Sequence, residues 1–320
     1  MQQKLNVGEI TAHFLARAKT KPGIRTAVVH PCSHDALLGA IEAAREGLIE
    51  PILIGPCTKI EAVAKEQKLN ISSYELVDVP HSHAAAAKAV ELARDGHVEA
   101  LMKGSLHTDE LMSEVVNRDS GLRTERRISH VFAMATENYH KPFFITDAAV
   151  NIAPDLLAKK DIVQNAIDLL IGISEKKIVP KVAILGAVET VNPAMPSTVD
   201  AACLCKMLDR GQIQNAIMDG PLAYDNAISL EAAKIKGINS PVAGDADIFL
   251  APDLECGNML VKQLILLAGA SSAGVILGAR VPIILTSRSD GAESRIASCA
   301  LAVLMADAKR NDRLTFLKVA

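Results

Sequence analysis

Along most of the chain, short runs of aliphatic and β-branched residues alternate with longer amphipathic stretches, and this alternation restricts the fold more than any other feature. Residues 26–30 (TAVVH), 51–55 (PILIG), 74–79 (YELVDV) and 100–102 (ALM) read as strands. Helical periodicity occupies about 33–46, the stretch to about 66, and 83–94. The second half repeats this grammar, with strands at 143–146, 182–185, 216–218, 248–250, 275–277 and 282–285. Its helices are expected near 155–174, 197–209, 225–236 and 256–268. Continuous apolar strands separated by helices are covered on both faces, so the pattern predicts α/β architecture with a parallel sheet.

At 320 residues the chain exceeds the ~100–200 residues usual for one domain, which favours two. The clearest discontinuity is the polar stretch 137–142 (ENYHKP) between two apolar strands, and all nine histidines lie at or before His140. A composition of 49% apolar and 22% charged residues is that of a folded protein. The net charge of −3 offers no basic footprint for nucleic acid, and 3% aromatics without Trp give little for base stacking. The N-terminus lacks a basic-then-apolar leader, and the most apolar stretch, 264–285, is broken by Gly269, Gly274, Gly278, Arg280 and Pro282. A cytoplasmic location without membrane partners is expected. The six cysteines form no CxxC and read as reduced, mostly buried thiols.

The most informative chemistry lies at 269–298, where an apolar strand ends in Thr286, Ser287, Arg288, Ser289 and Asp290 and a helix follows from Gly291. Ligands of open α/β sheets bind beyond the carboxyl ends of strands, and a helix N-terminus there attracts anions. Arg288 would supply a planar fork for phosphate oxygens. Asp290, with Glu293 three residues on, also reads as a helix-capping pair, and Ser289 is a second cap candidate. Asp253 reads as the cap of the next-to-last helix, Gly257 as an opening in its first turn for a ligand or a second backbone, and Asn258 as both donor and acceptor. In the loop 189–197 (ETVNPAMPS), Ser197 or Thr198 would cap the following helix. His81 and His83, two apart on a loop, are a weak metal pair, and no metal is expected. His107 and His130 read as structural or site histidines. GxGxxG, P-loop and HExxH patterns are absent, and 269–274 (GASSAG) precedes a strand, the wrong order for a nucleotide loop.

The stretch 278–290 (GARVPIILTSRSD) resembles the C-terminal signature of the phosphate acetyl/butyryltransferase family. Segments 240–247 (SPVAGDAD), 251–263 (APDLECGNMLVKQ), 101–108 (LMKGSLHT), 128–134 (ISHVFAM) and 189–197 resemble its other blocks, so the likeness runs from about Val28 to Ala306. It implies two α/β domains with an intervening cleft, like isocitrate and isopropylmalate dehydrogenases: 1–140 plus 277–320, and 141–276. It implies an acyltransferase that moves an acetyl or butyryl group between coenzyme A and phosphate. Acyl-CoA or coenzyme A and phosphate or acyl phosphate would be its ligands, with no further cofactor, and the assembly would be a homodimer.

By the same resemblance, Ser287 and Arg288 are catalytic. The family's carboxylate falls one position beyond Glu293, where this chain has Ser294, so the base is Asp290 or Glu293. The position of the family's second arginine is Glu114, which leaves phosphate charge to Lys103, Arg123, Arg126 or Arg127. Lys103, His107, Arg127, Asn192, Gly257 and Asn258 are the expected substrate-binding residues. The implied reaction is attack of a coenzyme A thiolate on the acyl phosphate carbonyl. Two alternatives are a metal- and NAD(P)-dependent dehydrogenase of the same fold and a catalytically silent acyl-CoA-binding protein. The first needs a carboxylate cluster, and Asp219 and Asp225 stand isolated from other acids.

Overall fold

A computed structural model describes residues 9–285 and 291–314, with only the backbone of residues 9–11. In chain order the elements begin α1 (Glu9–Ala18), β1 (Ile24–Val29), α2 (His34–Arg45), β2 (Ile49–Gly55), α3 (Cys57–Glu66), β3 (Glu75–Asp78) and α4 (Ser82–Arg94). They continue with β4 (Ala100–Lys103), α5 (Thr108–Val115), β5 (Ser129–Ala135), β6 (Phe143–Thr146), α6 (Leu156–Ile173), β7 (Lys181–Leu185) and α7 (Pro196–Asp209). The last are β8 (Ile217–Leu222), α8 (Tyr224–Ile228), α9 (Leu230–Ile235), β9 (Ile248–Leu250), α10 (Leu254–Ala268), β10 (Ser271–Leu277), β11 (Ile283–Ile284) and α11 (Ala292–Arg310).

The chain forms two compact units, one from Thr11–Arg126 with the segment from Ala273 onward, the other chiefly Arg127–Ser272. In the discontinuous unit the strand order is β3-β2-β1-β4-β11-β10. All its neighbours are parallel except the antiparallel pair β10–β11. Val28 and Ile284 both pair with Met102, so three strand ends lie side by side. The strands are aliphatic because both faces are covered: Val28, Leu53, Leu101 and Ile284 are fully buried. α2 packs on α11 and α4 on α5. The α11 N-cap is Gly291, without a side-chain bond, and Asp290, the cap that the sequence suggested, lies outside the described residues.

In the contiguous unit the order is β5-β6-β9-β7-β8, parallel except for β5–β6. The strand β5 belongs here through its pairing with β6, Val131 opposite Thr146 and Met134 opposite Phe143. Six of the chain's nine aromatic residues lie in this unit. Phe143 sits edge-on to Tyr139 (5.4 Å) and to Phe249 (5.5 Å), both at 87°. Phe249, 1% exposed on the central strand β9, anchors this core, and burial of such a ring contributes about 1.5–3 kcal/mol. The segment 225–236 is two helices rather than one, because Ser229 leaves helical backbone (φ −125, ψ 113) and caps α9 by accepting from Ala232 N–H. Of the six cysteines, all free, only Cys299 is buried; four are half-buried and Cys256 is exposed, a correction to the expectation of mostly buried thiols.

Candidate functional site

In the discontinuous unit the described candidate residues follow the carboxyl ends of β1 and β4. His30 follows β1 directly, with a left-handed backbone (φ 55). Its N–H still donates to Ile54 O (2.7 Å), so the ladder holds up to that residue. Its carbonyl accepts three bonds: from Cys32 N–H (2.8 Å), Ser105 N–H (3.0 Å) and Ser105 Oγ–H (2.7 Å). Ser105 reaches it because Gly104 lies against the β1 backbone, where a Cβ would meet Val29 O at 2.4 Å. Burial lowers the His30 pKa, opposed by a contact of its ring with the Ser105 main chain, aided by the Lys59 ammonium and opposed by Glu110.

Lys103 ends β4 and is half-buried, its Nζ 3.4 Å from Gly104 O. His107 is the exposed N-cap of α5, and its main-chain N–H donates to Glu110 Oε1 (3.2 Å). Glu110 also accepts from Ser82, the largest reason its pKa is lowered. His81 caps α4 through Nδ1, accepting from Ala84 N–H (3.2 Å), which accounts for one histidine of the weak metal pair. Among the described residues no group of three or more His, Cys, Asp or Glu side chains is arranged to hold a metal ion. Ser287, Arg288 and Asp290 lie outside the described residues; Glu293 is exposed in the first turn of α11.

In the contiguous unit, the ends of β6 and β9 organise a second set. Asp147, 3% exposed, accepts from Ala149, Val150 and Asn151 N–H and from Asn151 Nδ2 (2.6 Å). Burial nevertheless dominates and raises its pKa. Asn151 Oδ1 in turn accepts from Arg127 Nε (2.7 Å), so one edge of that exposed guanidinium is fixed. Gly257 is where α10 meets the Asp147–Ala148 backbone: a Cβ there would stand 2.4 Å from Asp147 O. Its openness therefore serves a second backbone. Asn258 Nδ2 donates to Ala148 O (3.0 Å) across the same crossing. His130 is fully buried in β5, its ring 4.4 Å from that of Phe132.

Beyond the ends of β7 and β9 opens a cavity of about 840 Å³. Leu185, Met195, Tyr224, Met259 and Leu260 give it apolar walls, with Lys159 and Asp200 as a paired charge (2.7 Å). Asn192 is not in its wall but shapes it: Oδ1 accepts from Ala194 N–H, and Thr198 Oγ1 bonds both the N–H and the carbonyl of Asn192. Thr198 thus stitches the loop, while the cap position of α7 belongs to Met195 rather than to Ser197 or Thr198. Sequence reasoning missed Lys159, Asp200, Tyr224 and Met259. The one signal was a lysine at a position of α6 that shares its face with Ile162, Val163 and Ala166, all buried.

The family model described as "Phosphate acetyl/butaryl transferase" matches residues 81–303. The chain is 61% identical over 290 residues to the phosphate acetyltransferase of Rickettsia typhi, covering 91% of this chain and 83% of the relative. It is 40% identical to the phosphate butyryltransferase of Clostridium acetobutylicum, covering 92% and 98%. Among solved structures, the branched-chain phosphotransacylase of Enterococcus faecalis superposes with a TM-score of 0.76 at 31% identity, covering 88% of this chain and 99% of the other. With a family match over more than half its length and relatives this similar end to end, the chain belongs to the phosphate acetyl/butyryltransferase family.

Proposed function

We propose that this protein is an acyltransferase that moves a short acyl group between coenzyme A and inorganic phosphate. The observation that carries this reading is the 61% identity, over nine-tenths of the chain, to a phosphate acetyltransferase. The cavity supports it: about 840 Å³, mostly apolar with one buried ammonium, suits part of a coenzyme A molecule, which combines apolar stretches with phosphates. In the acyl-phosphate direction the thiol must approach as a thiolate, since the free thiol ionises only near pH ~8.5. Arg288 holds phosphate oxygens by its fork, and Ser287 meets the oxyanion, a donor typically worth about 2.7–4 kcal/mol. Asp290 or Glu293 orients the thiol, and Lys103, Arg127 and the Asn258 turn position the substrates. Neither a metal nor a redox cofactor takes part. The enzyme works in the cytoplasm as a homodimer. Among the described residues no helix is long and apolar enough to cross a membrane.

Phosphate-dependent thiol release from acetyl-, propionyl-, butyryl- and isobutyryl-CoA tests the reading. Turnover that needs phosphate and survives chelation is the expected result. Binding of acyl-CoA without turnover, or reduction of NAD(P) instead, would overturn it. The preferred chain length emerges from the same series, because each methylene is worth only about 1–3 kcal/mol of discrimination.

A further inference from the structure

We propose that His30 is a catalytic residue of this reaction, carrying the proton from the coenzyme A thiol to the departing phosphate. The inference rests on the acyl-transfer reading above. It starts from where His30 stands: the first residue beyond β1, on the edge where β4 ends in Lys103 and β11 ends beside it. Ligands of parallel α/β sheets bind beyond this edge. A bulky residue in the left-handed region is uncommon and costs free energy, so it persists only where its surroundings over-determine it. Three hydrogen bonds to the His30 carbonyl do so here.

Those bonds also fix the ring's tautomer. Ser105 Oγ spends its single proton on His30 O (2.7 Å) and accepts from Cys32 N–H (3.0 Å). Toward His30 Nδ1, 3.4 Å away, it can only accept, so Nδ1 carries the hydrogen and Nε2 is the basic atom. Lys59 of α3 and Glu110 of α5 are the charged groups that act on the ring, in opposite directions, and burial outweighs both, which favours the neutral imidazole.

A neutral imidazole suits the proton balance of the reaction. As sulfur forms its bond to the acyl carbon, the S–H proton passes to Nε2. As the bond from acyl carbon to phosphate oxygen breaks, that proton passes to the leaving oxygen, and phosphate departs as the hydrogen phosphate dianion. The imidazole returns to its starting state, and nothing is oxidised or reduced. A neutral imidazole has a free lone pair for the first proton and, once protonated, an N–H to give in the second step, so one ring serves both.

The test compares wild type, His30→Asn and His30→Gly, because Asn and Gly both tolerate a left-handed backbone. Activity of the wild type checks the acyl-transfer reading by itself. For His30→Asn we expect turnover to fall by about 100-fold or more with KM for phosphate little changed. The acid limb of the wild-type kcat profile, with an apparent pKa below the usual histidine value, should vanish. Added imidazole should restore turnover to His30→Gly in proportion to its free base, and that arm decides the matter even if His30→Asn fails to fold. An active wild type with His30→Asn within about threefold of it, or His30→Gly indifferent to imidazole, would overturn the role of His30 and leave the acyl-transfer reading standing.

Discussion

Lys159 and Asp200 form an ion pair that is buried at one end only, and this asymmetry makes a sharp prediction. Their 2.7 Å contact joins an ammonium whose side chain is 7% exposed to a carboxylate that is 25% exposed. Removing one partner of a buried pair costs about 3–5 kcal/mol, most of it from stranding the other charge away from water. Asp200→Asn strands the ammonium and should pay that full amount. Lys159→Met replaces the stem with a chain of similar volume and leaves a carboxylate that water can reach, so about 1–2 kcal/mol is expected. Lys159→Met with Asp200→Leu together should lie near wild type. Urea unfolding followed by tyrosine fluorescence is the assay. The chain has no Trp, and Tyr139 and Tyr224, two of its three tyrosines, lie in the unit that holds the pair. A Lys159→Met variant as unstable as Asp200→Asn would refute the reasoning, because the ammonium would then not be the poorly solvated partner.

Gly257→Ala puts a methyl 2.4 Å from a backbone oxygen that cannot swing aside; we expect a loss of about 1–3 kcal/mol in urea unfolding, against the gain that Ala normally brings to a helix. Arg288→Lys keeps the charge but loses the fork, and should abolish most turnover while circular dichroism stays unchanged; near-normal turnover would place Arg288 outside the site. Glu110 has a folded pKa below its unfolded value, so its contribution is complete above the unfolded pKa and is lost as pH falls through the folded one. Glu110→Gln should therefore lower the melting temperature at pH 7, and melting curves of variant and wild type should converge in acid.

The parallel strands were legible because each is covered on both faces and so reads as an unbroken apolar run. Residues 248–250, fully buried, were placed to the residue. Strand β5 was harder, since it opens with Ser129 and His130. Its burial becomes acceptable through Asn165, whose Nδ2 donates to Ser129 Oγ (3.0 Å) from 36 residues away, a pairing with no local signature. The break at Ser229 was missed because the apolar spacing continues through it, whereas the backbone turns on a single cap. Within the site, the cap at Asp253 was readable, its carboxylate accepting from Cys256 N–H (2.8 Å). The openness of Gly257 was readable too, but the backbone that fills it comes from Asp147, 110 positions upstream. His30 drew no attention as a functional residue, because a left-handed φ at a strand's last turn leaves no trace in composition or periodicity.

The discontinuous unit has a history during synthesis that its finished form hides. The contiguous unit draws all of its strands from residues 129–250, so it can close while the chain is still being made. The neighbour of β4, by contrast, is β11, and roughly 180 residues separate them. At about 5–20 residues per second the ribosome needs about 10–40 s to deliver it. For that time Ala100, Leu101 and Met102, all buried in the finished protein, line an open edge whose unpaired amides can template pairing with another chain. The Leu101 amide, which ends up donating to Pro282 O (3.1 Å), should exchange rapidly in a nascent chain halted at Ser272 and slowly in the complete one. Strand β4 is thus the one most exposed to misassociation, and a trailing segment of about 48 residues is what removes the hazard.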